Sequence, residues 1–538
     1  MAIRGGKRGD FALRTIMAVL AGVLAEKGAM AMAIDTGNPD LDVSWTNSVD
    51  YSLGMRTQAP RQYIINSSAG SSDLKFNQGN INTSQLDLLS ELVVKYKNDF
   101  GFRLSGDAWY DPAYHDKSVP INPALGGSGY LDNVYGGYTK RYYSGPSAEL
   151  LDAYAFGKFY AGDIPVNVKL GRHTVYWGEA LFSNTYAVSY SQSPINGIKG
   201  SSDPGAEVKT LFLPLAQISA QSQITPNVSV GAQYFFEWEP TRLPTGGTYF
   251  GVADFLYRGP NELSIPGLGT LPQLSPQEPR NAGNFGGIVQ WNVEPLQTKF
   301  GFVYRKFNDY TPWVAPEVTQ SGYRIVFPTD TQLFGLTASK EIFGASVGAE
   351  LSYRKNTALS PSGINPLTGE GPTGNTWNAV LNSIWLLDKT RFYDTGTLAM
   401  ELTYNRLGGV SSNSAYYNGE GYGTCNYKWD GCATKNFVGL SLSFDPQWLQ
   451  VFPSVDLDMP IFASYGIYGN APNNGGGYQG SVTYSIGINA TYQQKYNLTL
   501  SYEGFNARTH NQGVAVLANG NAAYNDKGWV FLTFKAGF

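Results

Sequence analysis

The stretch GRHTVYWGEALF, residues 171–182, places Arg172, His173, Trp177 and Glu179 within eight positions. Further on, FFEWEPTR sets Glu237, Glu239 and Arg242 around Trp238, and PGAEVK between the two carries Glu207 and Lys209. Arginine, lysine and glutamate interleaved with indole rings support two kinds of chemistry. One is a constriction or docking site, where fixed charge orients a polar solute and the rings receive its apolar part. The other is a salt-bridged anchor that ties two long loops at a rim, which asks less of the sequence. Metal or cofactor chemistry is not expected. The three histidines, His115, His173 and His510, are scattered, and the two cysteines, Cys425 and Cys432, sit seven apart in YGTCNYKWDGCATK with no histidine nearby. In an exported chain such a pair reads as a local disulfide.

Something must hold these residues in place, and the composition narrows what that is. Of 538 residues only 15% are charged, against roughly 25% in ordinary soluble domains. Aromatics reach 14%, and there are 63 glycines. The first 33 residues have a basic start, a short apolar run (TIMAVLAGVLA) and a small-residue end with Ala31 and Ala33 in A-x-A order. These are the parts of a secretory signal peptide. Cleavage is expected after Ala33, leaving one domain, 34–538. That domain holds 33 Lys and Arg against 40 Asp and Glu, a balance of −7, which gives no support to nucleic-acid binding.

No later run approaches the 20 apolar residues of a spanning helix. What recurs is a segment of about ten residues with apolar side chains at every second position. SVTYSIGINATY alternates almost without error from Val482 to Tyr492, and FGFRLSGDAWY sets Phe100, Phe102 and Leu104 against Arg103, Ser105 and Asp107. A period of two marks strands. About 18 segments follow this pattern (16 is the alternative), the sixth starting near residue 206; alternation is imperfect in 283–293, 376–388 and 434–444. Tight connections such as KNDFG and QQKYN alternate with long ones. In hydrocarbon every backbone N–H and C=O needs a partner within the protein, so a chain without spanning helices must close into a barrel. The expectation is an all-β, single transmembrane antiparallel up-and-down barrel with short periplasmic turns and long extracellular loops, in the bacterial outer membrane. By phase, Arg103, Asp107, Lys169, His173, Glu207, Lys209, Glu237 and Glu239 face the lumen, with charge concentrated in the first seven strands. The apolar loop 239–282 suits a plug or a cover over the mouth. Outer-membrane lipid and lipopolysaccharide would surround such a barrel.

An outer-membrane hydrolase of the lipase kind needs Ser and His aligned on the lipid-facing side. His173 faces inward by phase, His115 and His510 fall in loops, and no G-x-S-x-G elbow stands out. No enzyme is expected. The last segment, WVFLTFKAGF, alternates to Phe538 and must pair with the first strand to remove both edges.

The elements GR-x-x-V-x-WGE and PGAE-x-K, a Leu-Pro-Leu, the TPN turn, the E-W-E-P strand end and a P-x-GG-x-YF-x-x-D loop together resemble a proteobacterial outer-membrane family known as domain of unknown function 1302. The resemblance implies an outer-membrane barrel, often encoded near a periplasmic partner and a resistance-nodulation-division type inner-membrane transporter. It also implies a link to hydrophobic compounds, while no activity is settled for the family. An aromatic C-terminal residue likewise resembles the signal read by the barrel-assembly machinery, which makes Phe538 an expected assembly tag. The functional expectation is therefore a channel for small hydrophobic or amphipathic compounds, passive or coupled to those partners. The alternative is a non-transporting scaffold or adhesin with a sealed lumen.

Overall fold

The computed structural model describes residues 32–538 apart from Leu268, Thr424, 513–514 and 519–521. All but the last two residues of the expected signal peptide lie outside the described residues. Eighteen antiparallel strands follow one another around a closed barrel. In chain order they are β1 (Leu41–Arg56), β2 (Ile81–Tyr96), β3 (Phe100–Tyr110), β4 (Ser147–Ala161), β5 (Ile164–His173) and β6 (Leu215–Thr225). Next come β7 (Val228–Phe235), β8 (Phe285–Val293), β9 (Thr298–Phe307), β10 (Thr331–Ile342), β11 (Ala345–Ala358) and β12 (Thr373–Leu387). The circuit is completed by β13 (Thr395–Ser412), β14 (Asn436–Phe452), β15 (Val455–Asp458 with Ile461–Tyr468), β16 (Val482–Tyr492), β17 (Tyr496–Asn506) and β18 (Trp529–Gly537). β15 is broken at Met459–Pro460, where proline has no N–H for the ladder, yet both of its pieces pair with β14 and β16.

The seam joins β18 to β1 from Ser48↔Gly537 to Arg56↔Trp529. Phe538 extends it: its N–H donates to Asn47 O at 2.8 Å, and Asn47 N–H donates back at 2.7 Å. A short strand, Met32–Ile34, folds back on β1. Short turns lie at one end. In two of them consecutive left-handed residues, Lys97–Asn98 and Gln493–Gln494, give the twist that tight hairpins need. Nine long loops lie at the other end.

The alternation sorts the side chains. Leu336, Leu351, Leu381, Leu402, Ile486, Leu500 and Leu532 point outward and are exposed. An apolar belt on a barrel with no free edge is stable against hydrocarbon rather than water. Among the described residues no helix is long and apolar enough to cross a membrane. The three segments with imperfect alternation are all strands.

One boundary departs from expectation. The sixth strand begins at Leu215, not near 206. AEVKTLF alternates like a strand, but Val208–Leu211 is a single helical turn and Pro214 precedes the ladder. Glu207 and Lys209 therefore belong to the preceding loop.

Candidate functional site

The loop between β5 and β6, residues 174–214, turns into the barrel and lies against its inner wall. The wall holds it mainly by its backbone. Glu350 on β11 accepts from the N–H groups of Glu179, Ala180 (3.0 Å) and Val188 (2.7 Å). Glu401 on β13 accepts from Leu181 (2.5 Å), Phe182 (3.2 Å) and Ser183 (2.7 Å). Arg305 on β9 donates to the carbonyls of Val188 (3.1 Å), Tyr190 (2.6 Å) and Ser191 (2.6 Å). Arg354 on β11 donates to Thr185 and Ala187, each at 2.8 Å, and Asn382 on β12 donates to Glu179 O at 2.6 Å. All four charged side chains are buried. A loop away from water leaves backbone groups that need partners, and these side chains supply them.

Missing side chains on the wall make room for the loop. A Cβ built on Gly335 would stand 2.7 Å from Val188, and one on Gly348 would stand 2.9 Å from Glu179. On Gly286 it would meet the Trp177 ring at 3.0 Å, and Gly231 faces the same ring. Trp177 and Val188 seat there against Ile288, Val303, Phe307 and Leu333. The far end of the loop is pinned by Lys199, whose ammonium meets Asp87 at 2.7 Å and Asp107 at 2.5 Å.

The residues singled out in the sequence are divided among several places. Arg172 does meet Glu237 (2.6 Å) and Glu239 (3.1 Å), at the rim. It stands on the outward phase of β5, one residue before His173, which points inward. Arg242 instead makes a two-pronged pair with Glu149, both contacts at 2.8 Å. Trp177 and Glu179 travel with the inserted loop. Glu207 pairs with Lys535 of β18 at 2.5 Å, and Lys209 and Arg103 share Glu91. The single mouth cluster is thus replaced by a rim anchor, a loop in the lumen and wall pairs near the seam. The expected concentration of charge in the first seven strands also fails, because Arg305, Glu350, Arg354 and Glu401 are inward and buried. Their signal was present: each sits at the lumen phase of an alternating strand, in FVYRKF, AELSYRK and LAMELTY.

His173 is buried, with Nε2 2.7 Å from Ser219 Oγ and Nδ1 2.9 Å from Gly171 O. This is a Ser–His contact on the lumen side, oriented by a backbone carbonyl and not by a carboxylate. Lys169 stands directly across the strand pair from Ser219. Among the described residues no group of three or more His, Cys, Asp or Glu is placed to hold a metal ion. Cys425 and Cys432 are joined in a disulfide within the loop after β13.

The long-loop end is covered near the seam. Phe76, Tyr114, Tyr130, Tyr249 and Phe250 from three loops pack with Trp529 and Phe531 of β18 in one aromatic core. Beneath it Arg56 of β1 meets Asp73 (2.7 Å) and Asp526 (3.1 Å), and Lys527 meets Asp73 (3.2 Å), all fully buried. Loop 239–282 enters this cover through Tyr249 and Phe250. Burial pushes the carboxyls of Asp254 and Asp526 up to about 6, against the Ser71 N–H donor in the first case and the nearby charge of Lys527 in the second.

A closed barrel with an apolar belt, an inserted loop and a covered mouth is a transmembrane β-barrel of the outer-membrane, porin-like kind. The chain belongs to the family described as protein of unknown function DUF1302, whose model matches residues 12–538. No curated protein matches the sequence. Solved structures similar to it include OccAB4 of Acinetobacter baumannii, with 7% identity and TM-score 0.42, covering 92% of this chain and 98% of that one. OpdK of Pseudomonas aeruginosa, solved with vanillate, has 8% identity and TM-score 0.40 at the same coverage. A BenF-like porin of Pseudomonas fluorescens Pf-5 has 9% identity and TM-score 0.40, covering 93% and 99%. Likeness at this level says nothing of a shared cargo.

Proposed function

We propose that the chain is a non-enzymatic outer-membrane channel for small hydrophobic or amphipathic compounds. The observation that carries this reading is the inserted loop. It narrows the lumen without filling it, and cavities of about 440 and 370 Å³ flank it, against Trp177 and against Phe182–Tyr186. Structural braces do not need such space, whereas a selective pore does. Coupling to a periplasmic partner and an inner-membrane transporter belongs to the same proposal and is supported by the family resemblance alone. Purified protein in planar bilayers should conduct, and a deletion strain should show altered uptake or efflux of apolar compounds. Absence of conductance together with unchanged uptake and efflux refutes the channel.

The aromatic cover favours a second reading, a scaffold or adhesin whose lumen stays sealed. Under that reading bilayers stay silent, and a partner binds the loops of intact cells.

A further inference from the structure

We infer that the lumen cavity beneath the inserted loop is a binding site for amphiphiles bearing a carboxylate. The inference deepens the channel reading and rests on it for its purpose. The cavity, about 440 Å³, lies on the short-turn side of Trp177. Two ammonium groups line it, Lys169 from β5 and Lys299 from β9, and no carboxylate does. Among the described residues neither lysine is in an ion pair. Lys169 lies 5.3 Å from the centre of the Tyr154 ring, and Asp152, on the same side of the wall, is taken by Arg103 at 3.1 Å.

Higher in this lumen Lys199, Arg305 and Arg354 each hold a carboxylate or several carbonyls. Two ammoniums with no carboxylate on the cavity lining leave it positively charged. The remaining polar groups can also donate. Gln290 receives the Ser229 hydroxyl on its Oε1 at 3.2 Å, which leaves its amide N–H groups free, and Gln221 is exposed to the cavity. Strands β5 and β9 are four apart, about 19 Å along the wall, so the lysines stand toward opposite sides of the cavity. Between them Ile288 and the Trp177 ring, seated over Gly231 and Gly286, form an apolar patch among Ser219, Gln221 and Gln290. A head group of one negative charge with a flat hydrocarbon body fits this distribution. The body lies on the indole, and the head exchanges one ammonium for the other as the molecule moves past the loop.

The test uses the full barrel, folded in detergent, and compares 2-naphthoate with neutral 2-naphthamide by calorimetric titration. Naphthoate is expected to bind at least tenfold more tightly, and the difference should shrink as salt is raised. Lys169→Gln and Lys299→Gln should each weaken naphthoate at least fivefold and leave naphthamide unchanged. Lys169→Arg and Lys299→Arg should keep the preference. Equal binding of the two compounds by the unmodified protein overturns the inference, as does unchanged naphthoate binding by both glutamine variants. Conductance measured on the same preparation separates the two proposals. A conducting barrel that ignores naphthoate loses the site and keeps the channel, while a silent barrel that binds it loses the channel and keeps the site.

Discussion

Glu401 offers the sharpest handle on the inserted loop. Its carboxylate accepts three consecutive backbone N–H groups, from Leu181, Phe182 and Ser183, and its side chain is buried. Glu401→Ala removes all three acceptors at once. A buried donor left unmet costs about 1–3 kcal/mol, so a loop held rigidly in place would lose about 3–9 kcal/mol. Leu181 and Phe182 are 38% and 37% exposed, so water can reach part of the segment, and the low end, about 3 kcal/mol, applies. That amount raises the detached-to-docked ratio on the order of a hundredfold, at about 1.4 kcal/mol per factor of ten. The other anchors, Glu350, Arg305 and Arg354, keep the rest of the loop in place, so the change is local. In single-channel recordings the variant should show a larger and noisier conductance. Limited proteolysis should cut near 181–183, where the parent resists. Glu401→Gln keeps one acceptor oxygen and turns an amide toward a donor, so it should fall between the two. A Glu401→Ala barrel with the conductance, noise and protease resistance of the parent would show that this carboxylate does not hold the loop.

Other outcomes follow from the same geometry. Gly335→Ala should displace the loop by crowding Val188, lowering thermal stability by about 1–3 kcal/mol, and Val188→Ala in the same chain should restore much of it; absence of rescue would separate the two residues. Arg56→Ala removes the guanidinium from Asp526 and leaves Asp73 with Lys527 alone beneath the cover, at a cost toward the low end of about 3–5 kcal/mol. Faster hydrogen exchange in residues 57–80 should report it, and unchanged exchange would count against the buried network. The cover should also respond to pH. Asp254 and Asp526 titrate near 6 when covered and near the ordinary 3.9 when freed, so their stabilising contribution is full below about 4 and is lost as pH rises through about 6. Exchange in residues 236–267, corrected for the intrinsic rate, should be faster at pH 8 than at pH 5, and the opposite order would refute the assignment.

The barrel was legible because lipid imposes a period of two on every strand. Val482–Tyr492 could be read by eye, and the seam followed from the alternation ending at Phe538. The inserted loop was not legible. Its anchors on Glu350, Glu401, Arg305 and Arg354 act on peptide groups, which every residue carries, so the loop's own letters do not announce them. One hint was present without its cause. The imperfect alternation of 283–293 is caused partly by Gly286, and that glycine is the hollow in which Trp177 sits. The sixth strand was misplaced for the converse reason: Ala206–Phe212 alternates convincingly but is spent on a turn that carries Glu207 to Lys535. Lys299 stands alone in TKFGFVY, and nothing near it in sequence points to its companion Lys169, which lies four strands away.

Because the wall grips residues 179–191 by their N–H and C=O groups, attachment there is largely independent of lettering, with the Trp177, Val188 and Lys199 side chains as further holds. Side chains at Thr174, Val175 and Tyr176 can be exchanged while Glu350, Glu401, Arg305 and Arg354 keep their hold. Proline is the exception, at positions 179–183 and 188, where an amide hydrogen is required. The lumen thus has a fixed socket and an interchangeable insert. Rewriting loop residues therefore changes what the lumen presents, with the wall that positions them left intact.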